Sequence, residues 1–256
     1  MRKNTIKERL ARGETVFGCF VNLPSPDLAE ISGLVGFDFI LIDCEHGPID
    51  FTTMTHMVRA ADAAGVPALL RSPQNVAQVI LRYLDAGAVG IQVPQTNTRA
   101  EVEAAVRAVK YQPHGMRGLA AVRAAGYGVT QTVPEYVPEA NRETMVIVQI
   151  ESMEAVKNLP DLLTVPEVDV FFLGPTDLSH SMGLPGQVNH PDVLAVMAHC
   201  FAQIRAAGKV SGTIAIDSAH ARRLMDQGVQ YIVPGAGRLF VAACREFLGT
   251  VRAASQ

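Results

Sequence analysis

The sequence predicts a (β/α)8 barrel, an α/β fold, and three observations carry that prediction. The chain has 256 residues, and such barrels typically run to about 250. Eight short apolar runs alternate with helical stretches, and no change of composition divides the chain. One domain over residues 1–256 is therefore expected. Finally, several of the runs end on a polar or ionisable residue, as barrel strands do where their C-terminal ends share a site.

Taken in order, Met1–Leu10 is a charged amphipathic helix without the apolar core of a signal peptide. Gly13 stops it. Thr15–Leu23 is the first strand, and Pro24 and Pro26 open a helix ending near Gly36. Phe37–Asp43 is the second strand, which enters the polar turn Cys44-Glu45-His46-Gly47-Pro48. A helix over Phe51–Ala64 follows, with Gly65 as its C-cap. Pro67–Arg71 is the third strand, Val76–Asp85 a helix, Ala88–Pro94 the fourth strand and Arg99–Lys110 a helix. Gln112–Arg142 reads as an irregular excursion rich in Pro and Gly, of a length that usually serves function or assembly. Met145–Ile150 is the fifth strand and runs into Glu151-Ser152. After a helix over Glu154–Leu163, Val168–Leu173 is a sixth strand buried on both faces. Gly174-Pro175 must end it, since proline cannot continue a central ladder, and Asp177 follows. Ala195–Ala207 is a helix, Ser211–Ile216 the seventh strand, Ala219–Gln227 a helix and Val229–Val233 the eighth strand. Leu239 to about Ala254 is a last helix with no further strand. A doubly wound open sheet is the alternative, but it normally carries a Gly-rich turn after its first strand. Val21-Asn22-Leu23-Pro24-Ser25 is no such turn.

Composition narrows the function classes. Hydrophobic residues make up 48% and charged residues 18%, which excludes a disordered chain. A net charge of −3 supplies no basic stripe for nucleic acid. No run reaches the ~18 apolar residues of a membrane span. Cys19, Cys44, Cys200 and Cys244 form no C-x-x-C pair and read as reduced thiols, so a soluble cytoplasmic protein is expected.

On this reading Asp43, His46, Arg71, Gln95, Glu151 and Asp177 come from five strand ends into one cup. Alone, Asp177 would suit the cap of a helix beginning at Leu178-Ser179, and Glu151 would suit a first turn. Asp43 would pass as a strand terminator, His46 as a surface histidine and Arg71 as a structural ion pair. Carboxylates that end two consecutive strands tip Glu151 and Asp177 towards a bound divalent metal. No lysine falls at a strand end: Lys110 and Lys209 precede the fifth and seventh strands, which disfavours an imine route. Cys44 beside His46 lacks a second soft ligand, so a zinc–thiolate site is discounted.

The stretches Phe39-Ile40-Leu41-Ile42-Asp43-Cys44-Glu45-His46-Gly47-Pro48, Leu70-Arg71, Val148-Gln149-Ile150-Glu151-Ser152 and Leu173-Gly174-Pro175-Thr176-Asp177-Leu178-Ser179-His180-Ser181-Met182-Gly183 resemble the HpcH/HpaI aldolase family. These are class II pyruvate aldolases, and the likeness spans roughly residues 3 to 235. It implies the same barrel, and reversible cleavage of 4-hydroxy-2-oxo acids to pyruvate and an aldehyde. It implies that Glu151 and Asp177 ligate the metal alongside water and two pyruvate oxygens. Oxygen ligation favours Mg²⁺ or Mn²⁺, with Co²⁺ able to substitute. By the same resemblance Arg71 binds the keto oxygen and Gln149 lines the site, while amides near Thr176 and Asp177 receive the pyruvate carboxylate. His46, oriented by Asp43, moves the proton of the aldehyde-side hydroxyl, and Glu45 orders metal-bound water. Phe172 and Ile214 match apolar pocket positions. A homo-oligomer is implied as well, a hexamer built as a trimer of dimers, with the last helix exchanged between subunits. The pattern departs from the family at Pro234-Gly235-Ala236-Gly237-Arg238, where Gly-x-Asp is common, and in a shorter loop from Arg117 to Gly126. Two other readings compete. A citrate-lyase-β-like acyl-CoA lyase would need a basic channel that the sequence lacks. A phosphate-binding isomerase barrel, with Gly235–Arg238 as an anion nest, leaves the Glu151/Asp177 pair unexplained.

Overall fold

In the computed structural model, which describes residues 3–253, eight parallel strands close into a barrel in chain order. They are β1 (Val16–Val21), β2 (Phe39–Asp43), β3 (Ala68–Arg71), β4 (Gly90–Val93), β5 (Met145–Ile150), β6 (Val170–Leu173), β7 (Val210–Ala215) and β8 (Tyr231–Pro234). Pairing of Val16 with Tyr231 closes the ring. Met1 and Ala254, the outer limits read for the terminal helices, lie outside the described residues.

The period-two alternation of side chains along each strand sorts the core into two layers. Phe39, Leu41, Leu69, Met145, Ile147, Val170, Phe172, Tyr231 and Val233 fill the barrel interior. Their neighbours Ile40, Ile42, Leu70, Ile91, Val93, Val146, Val148, Ile150, Phe171 and Leu173 pack outward under the helices. Inside, Phe39 stacks on Tyr231 with centroids 4.6 Å apart, and Phe172 meets Tyr231 edge-on at 6.1 Å. A Cβ on Gly18 would lie 2.1 Å from the Phe39 ring. That glycine is the space the ring occupies.

Helix α1 (Thr5–Ala11) is capped by Asn4, whose side chain accepts from the amides of Ile6 and Lys7. It buries Ile6 and Leu10 against the interior cluster and so plugs the N-terminal mouth. The helices α2 (Pro26–Val35), α3 (Phe51–Ala63), α4 (Ala77–Asp85) and α5 (Arg99–Val109) follow their strands as expected.

The segment read as irregular carries a 3₁₀ turn at Arg123–Gly128 and a full helix, α6 (Val133–Glu143). Its prolines do not prevent a helix. Pro134 lies in the first turn, where a missing N–H costs nothing, and Thr132 with Glu135 forms a capping box. Tyr136 and Ala140 are buried against Tyr111 and Ala125, which offsets the interior Pro138. Below β5, the wholly buried Lys110 donates to the carbonyls of Asn141 and Thr144 at 2.7 and 2.8 Å. This lysine stitches α5 to α6.

The chain continues through α7 (Met153–Leu162), α8 (Pro175–Ser181), α9 (Pro191–Ala206) and α10 (Ser218–Asp226). Among the described residues of the final helix, α11 (Ala236–Ala253), only Ala236 is buried. Leu239, Phe240, Val241, Phe247, Leu248 and Val251 are exposed, Phe240 and Phe247 by 70% and 68%.

Candidate active site

The alternation that packs the interior also delivers the polar groups. Going up β2, the inward positions are Phe39, Leu41 and then Asp43; on β3 they are Leu69 and Arg71; on β5 they are Met145, Ile147 and Gln149. Glu151 follows at the same parity. Register places Asp43 beside Arg71, and Arg71 beside Gln92.

Arg71 is buried and held on three sides. Its Nε and Nη2 donate to the two carboxylate oxygens of Asp43 at 2.9 and 2.8 Å, and Nη1 pairs with Glu45 at 3.1 Å. Its guanidinium carbon lies 4.7 Å from the centre of the Phe20 ring. A fork-on-carboxylate pair of this kind fixes direction as well as charge. Asp43 Oδ1 also accepts from the amides of Glu45 (3.1 Å) and His46 (3.3 Å), which shapes the turn. Asp43, expected to orient His46, meets it through the backbone amide. The two carboxylate oxygens are already engaged by Arg71 and the two amides. The His46 side chain itself is exposed on the turn.

Two strands on from Arg71, just past the end of β5, stands Glu151. Its Oε1 accepts from the Gln95 amide at 2.7 Å, and its Oε2 from the side-chain amide of Gln149. Gln149 Oε1 in turn accepts from Gln92 Nε2 at 3.0 Å. Gln95 turns its N–H onto Glu151 while its own backbone sits at φ 53, a left-handed conformation uncommon outside glycine. Gly174 leaves room for the carboxylate: a Cβ there would fall 2.8 Å from Glu151 Oε2. Burial pushes the Glu151 carboxyl above its ordinary range, and the charge of Asp177 adds to that, while the hydrogen bonds from Gln95 and Gln149 oppose it. Burial raises Glu45 likewise, against the pull of Arg71.

Asp177 and Thr176 are exposed in the first turn of α8. Phe172, read as a pocket residue, belongs to the interior core at 2% exposure. Ile214 is half-buried and lines a cavity of about 250 Å³ together with Pro175, His220 and Arg223. Gln92 had only one sign in the sequence, a polar residue inside the apolar run of β4.

Among the described residues no group of three or more His, Cys, Asp or Glu is placed to hold a metal. A cation here would rest on Glu151 and Asp177 alone. The residues fit that role: both donors are hard oxygens. A cation between them would also offset the burial that raises Glu151 and the smaller repulsion from Asp177. The space at Gly174 keeps Glu151 where it is.

The profile of the HpcH/HpaI aldolase/citrate lyase family matches residues 16–237. A 5-keto-4-deoxy-D-glucarate aldolase of Salmonella arizonae is 36% identical over 234 residues, 91% of this chain and 90% of its own. A hydroxypyruvate/pyruvate aldolase of Roseobacter denitrificans is 36% identical over 231 residues, 90% and 89% of the two chains. Among solved structures, a HpcH/HpaI aldolase/citrate lyase family protein from Burkholderia cenocepacia superposes with a TM-score of 0.92 at 35% identity, over 98% of this chain and 100% of that one. The barrel, the motifs it brings to one mouth and these relatives agree: the chain is a carbon–carbon lyase and belongs to the HpcH/HpaI aldolase/citrate lyase family.

Proposed function

We propose that the protein is a divalent-cation-dependent aldolase that cleaves 4-hydroxy-2-oxo acids to pyruvate and an aldehyde. The observation that carries this reading is a clamped, buried guanidinium at the end of β3 and a buried carboxylate, Glu151, held just past the end of β5, with Asp177 after the next strand. Glu151 and Asp177 would hold the cation, Mg²⁺ or Mn²⁺ with Co²⁺ as a substitute, which when bound withdraws charge from the keto oxygen.

Every other role belongs to the chain itself. With Asp43 and Glu45 fixing Arg71, the remaining guanidinium N–H groups are aimed before substrate arrives, and they stabilise the oxyanion of the pyruvate enolate. The first-turn amides near Thr176 and Asp177, which have no acceptor within their helix, receive the substrate carboxylate. Gln149 lines the floor beside Glu151. His46 takes the proton of the C4 hydroxyl as the C3–C4 bond breaks, so the aldehyde carbonyl forms and the bonding pair stays with the enolate. Protonation of C3 then yields pyruvate. Ile214, half-buried near the end of β7, suits an aldehyde with some apolar surface. The exposed apolar face of α11 supports a homo-oligomer, with a hexamer as the expected state.

The test is pyruvate release by cation-stripped enzyme from a panel of 4-hydroxy-2-oxo acids, with and without Mg²⁺ or Mn²⁺. Because one relative is named for hydroxypyruvate as well as pyruvate, the panel includes aldol products of both. Release from one or more members, restored by cation, is expected. Turnover that survives cation removal, or none with any member, overturns the proposal.

A further inference from the structure

Gln92 takes no part in the chemistry above, yet it lies wholly buried in the barrel wall at the level of the site. Its strand neighbours Ile91 and Val93 pack in the outer apolar layer, which leaves Gln92 on the inward face. The Nε2 of Gln92 donates to Gln149 Oε1, and Gln149 Nε2 donates to Glu151 Oε2. At the head of this chain, Gln92 Oε1 has no hydrogen-bond partner among the described residues. An apolar side chain of the same length would fill the space without stranding a buried acceptor. What the amide adds is its donor.

A carboxamide turned half a revolution keeps its shape and exchanges donor for acceptor. Were Gln149 so turned, its carbonyl would face the Glu151 carboxylate and repel it. The donor from Gln92 opposes that turn, because it requires the Gln149 oxygen on its own side. We propose that Gln92 is a positioning residue: it sets the orientation of the Gln149 amide and, through it, the direction in which Glu151 presents its lone pairs to a cation. This rests on the reading of Glu151 and Asp177 as the cation-binding pair.

The experiment is a double-mutant cycle read by calorimetric titration of Mn²⁺ into the cation-stripped full chain, with thermal melts alongside. Gln92→Met conserves volume in an apolar setting and should fold; Gln92→Leu is the second variant. Loss of an outer partner of a metal ligand weakens metal affinity by about 10- to 100-fold, and Gln92→Met is expected near the lower end with little change in melting. Gln149→Met should weaken Mn²⁺ binding by at least as much. Gln92→Met added to Gln149→Met should then have no further effect, because Gln92 acts only through Gln149. Unchanged Mn²⁺ affinity in both Gln92 variants overturns the proposal. So do additive effects in the cycle, or losses that track melting temperature alone. Glu151→Gln serves as the control. If it too binds Mn²⁺ like the parent, the cation-binding reading is what has failed; if it loses Mn²⁺ while the Gln92 variants do not, only the role of Gln92 is lost.

Discussion

Substituting Gly174 with alanine separates space from conformation. Gly174 has φ −94 and ψ 93, a backbone that any L-residue adopts, so no strain follows from the change itself. Fewer unfolded conformations would even favour the alanine by about 0.4–1 kcal/mol. The new methyl, however, would sit 2.8 Å from Glu151 Oε2 and 2.9 Å from its Cβ. Ordinary contact begins near 3.4 Å, so carboxylate and methyl must part by about half an ångström, the tolerance within which a site keeps its productive geometry. Glu151 cannot yield without cost, because the Gln95 amide and the Gln149 side chain hold its two oxygens. We expect Gly174→Ala to melt within a few degrees of the parent, yet to weaken Mn²⁺ binding and turnover each by about 10- to 100-fold. Calorimetric titration and a pyruvate-release assay on one preparation decide it. Parental Mn²⁺ affinity and turnover in a well-folded Gly174→Ala protein would refute the reasoning, since the position of Glu151 would then not matter.

Four further outcomes are expected. Arg71→Ala should slow both aldol cleavage and exchange of pyruvate methyl protons with solvent deuterium, because the guanidinium faces the charge common to both. His46→Ala should lose cleavage by about 10²- to 10⁴-fold while keeping more of the exchange, which NMR follows; equal loss of both would move His46 to the enolisation step. Glu45 and Glu151 are raised above the ordinary 4.5 by burial, so the folded cation-free protein holds protons that the unfolded chain has released. Its stability should fall as pH rises from about 4.5 through the folded-state values, whereas the stabilisation added by Mn²⁺ should grow over the same window. Melting curves across pH, with and without Mn²⁺, show whether the two slopes have opposite signs. Finally, Phe240→Glu with Phe247→Glu should shift light scattering from an oligomer to smaller species, and a monomeric parent at micromolar concentration would contradict the assembly.

Most of the barrel is legible in the sequence because its strands are buried on both faces and read as unbroken apolar runs. The site is legible where an ionisable residue ends such a run, as Asp43, Arg71 and Glu151 do. Proline punctuation hid α6, whose capping box and buried Tyr136 outweigh Pro134 and Pro138. The engagement of Asp43 was hidden for a different reason. Nothing in one dimension tells whether a carboxylate will serve the histidine three residues on or the arginine 28 residues away. Gln95 contributes a backbone amide, which every residue except proline has, so its part in holding Glu151 leaves no mark in the letters.

The plug formed by α1 has a kinetic consequence. With Ile6 and Leu10 seated against the interior cluster and aromatic rings packed above them, the N-terminal end of the barrel is filled among the described residues, and the candidate site opens at the C-terminal end. On the proposed reaction both fragments leave toward that end, the aldehyde from beside His46 on the exposed turn and pyruvate from the cation pair and the buried Arg71. The aldehyde should depart first and pyruvate last. In steady-state terms, pyruvate should compete with the parent hydroxy-oxo acid for free enzyme, while the aldehyde should inhibit in a mixed pattern that excess substrate does not relieve.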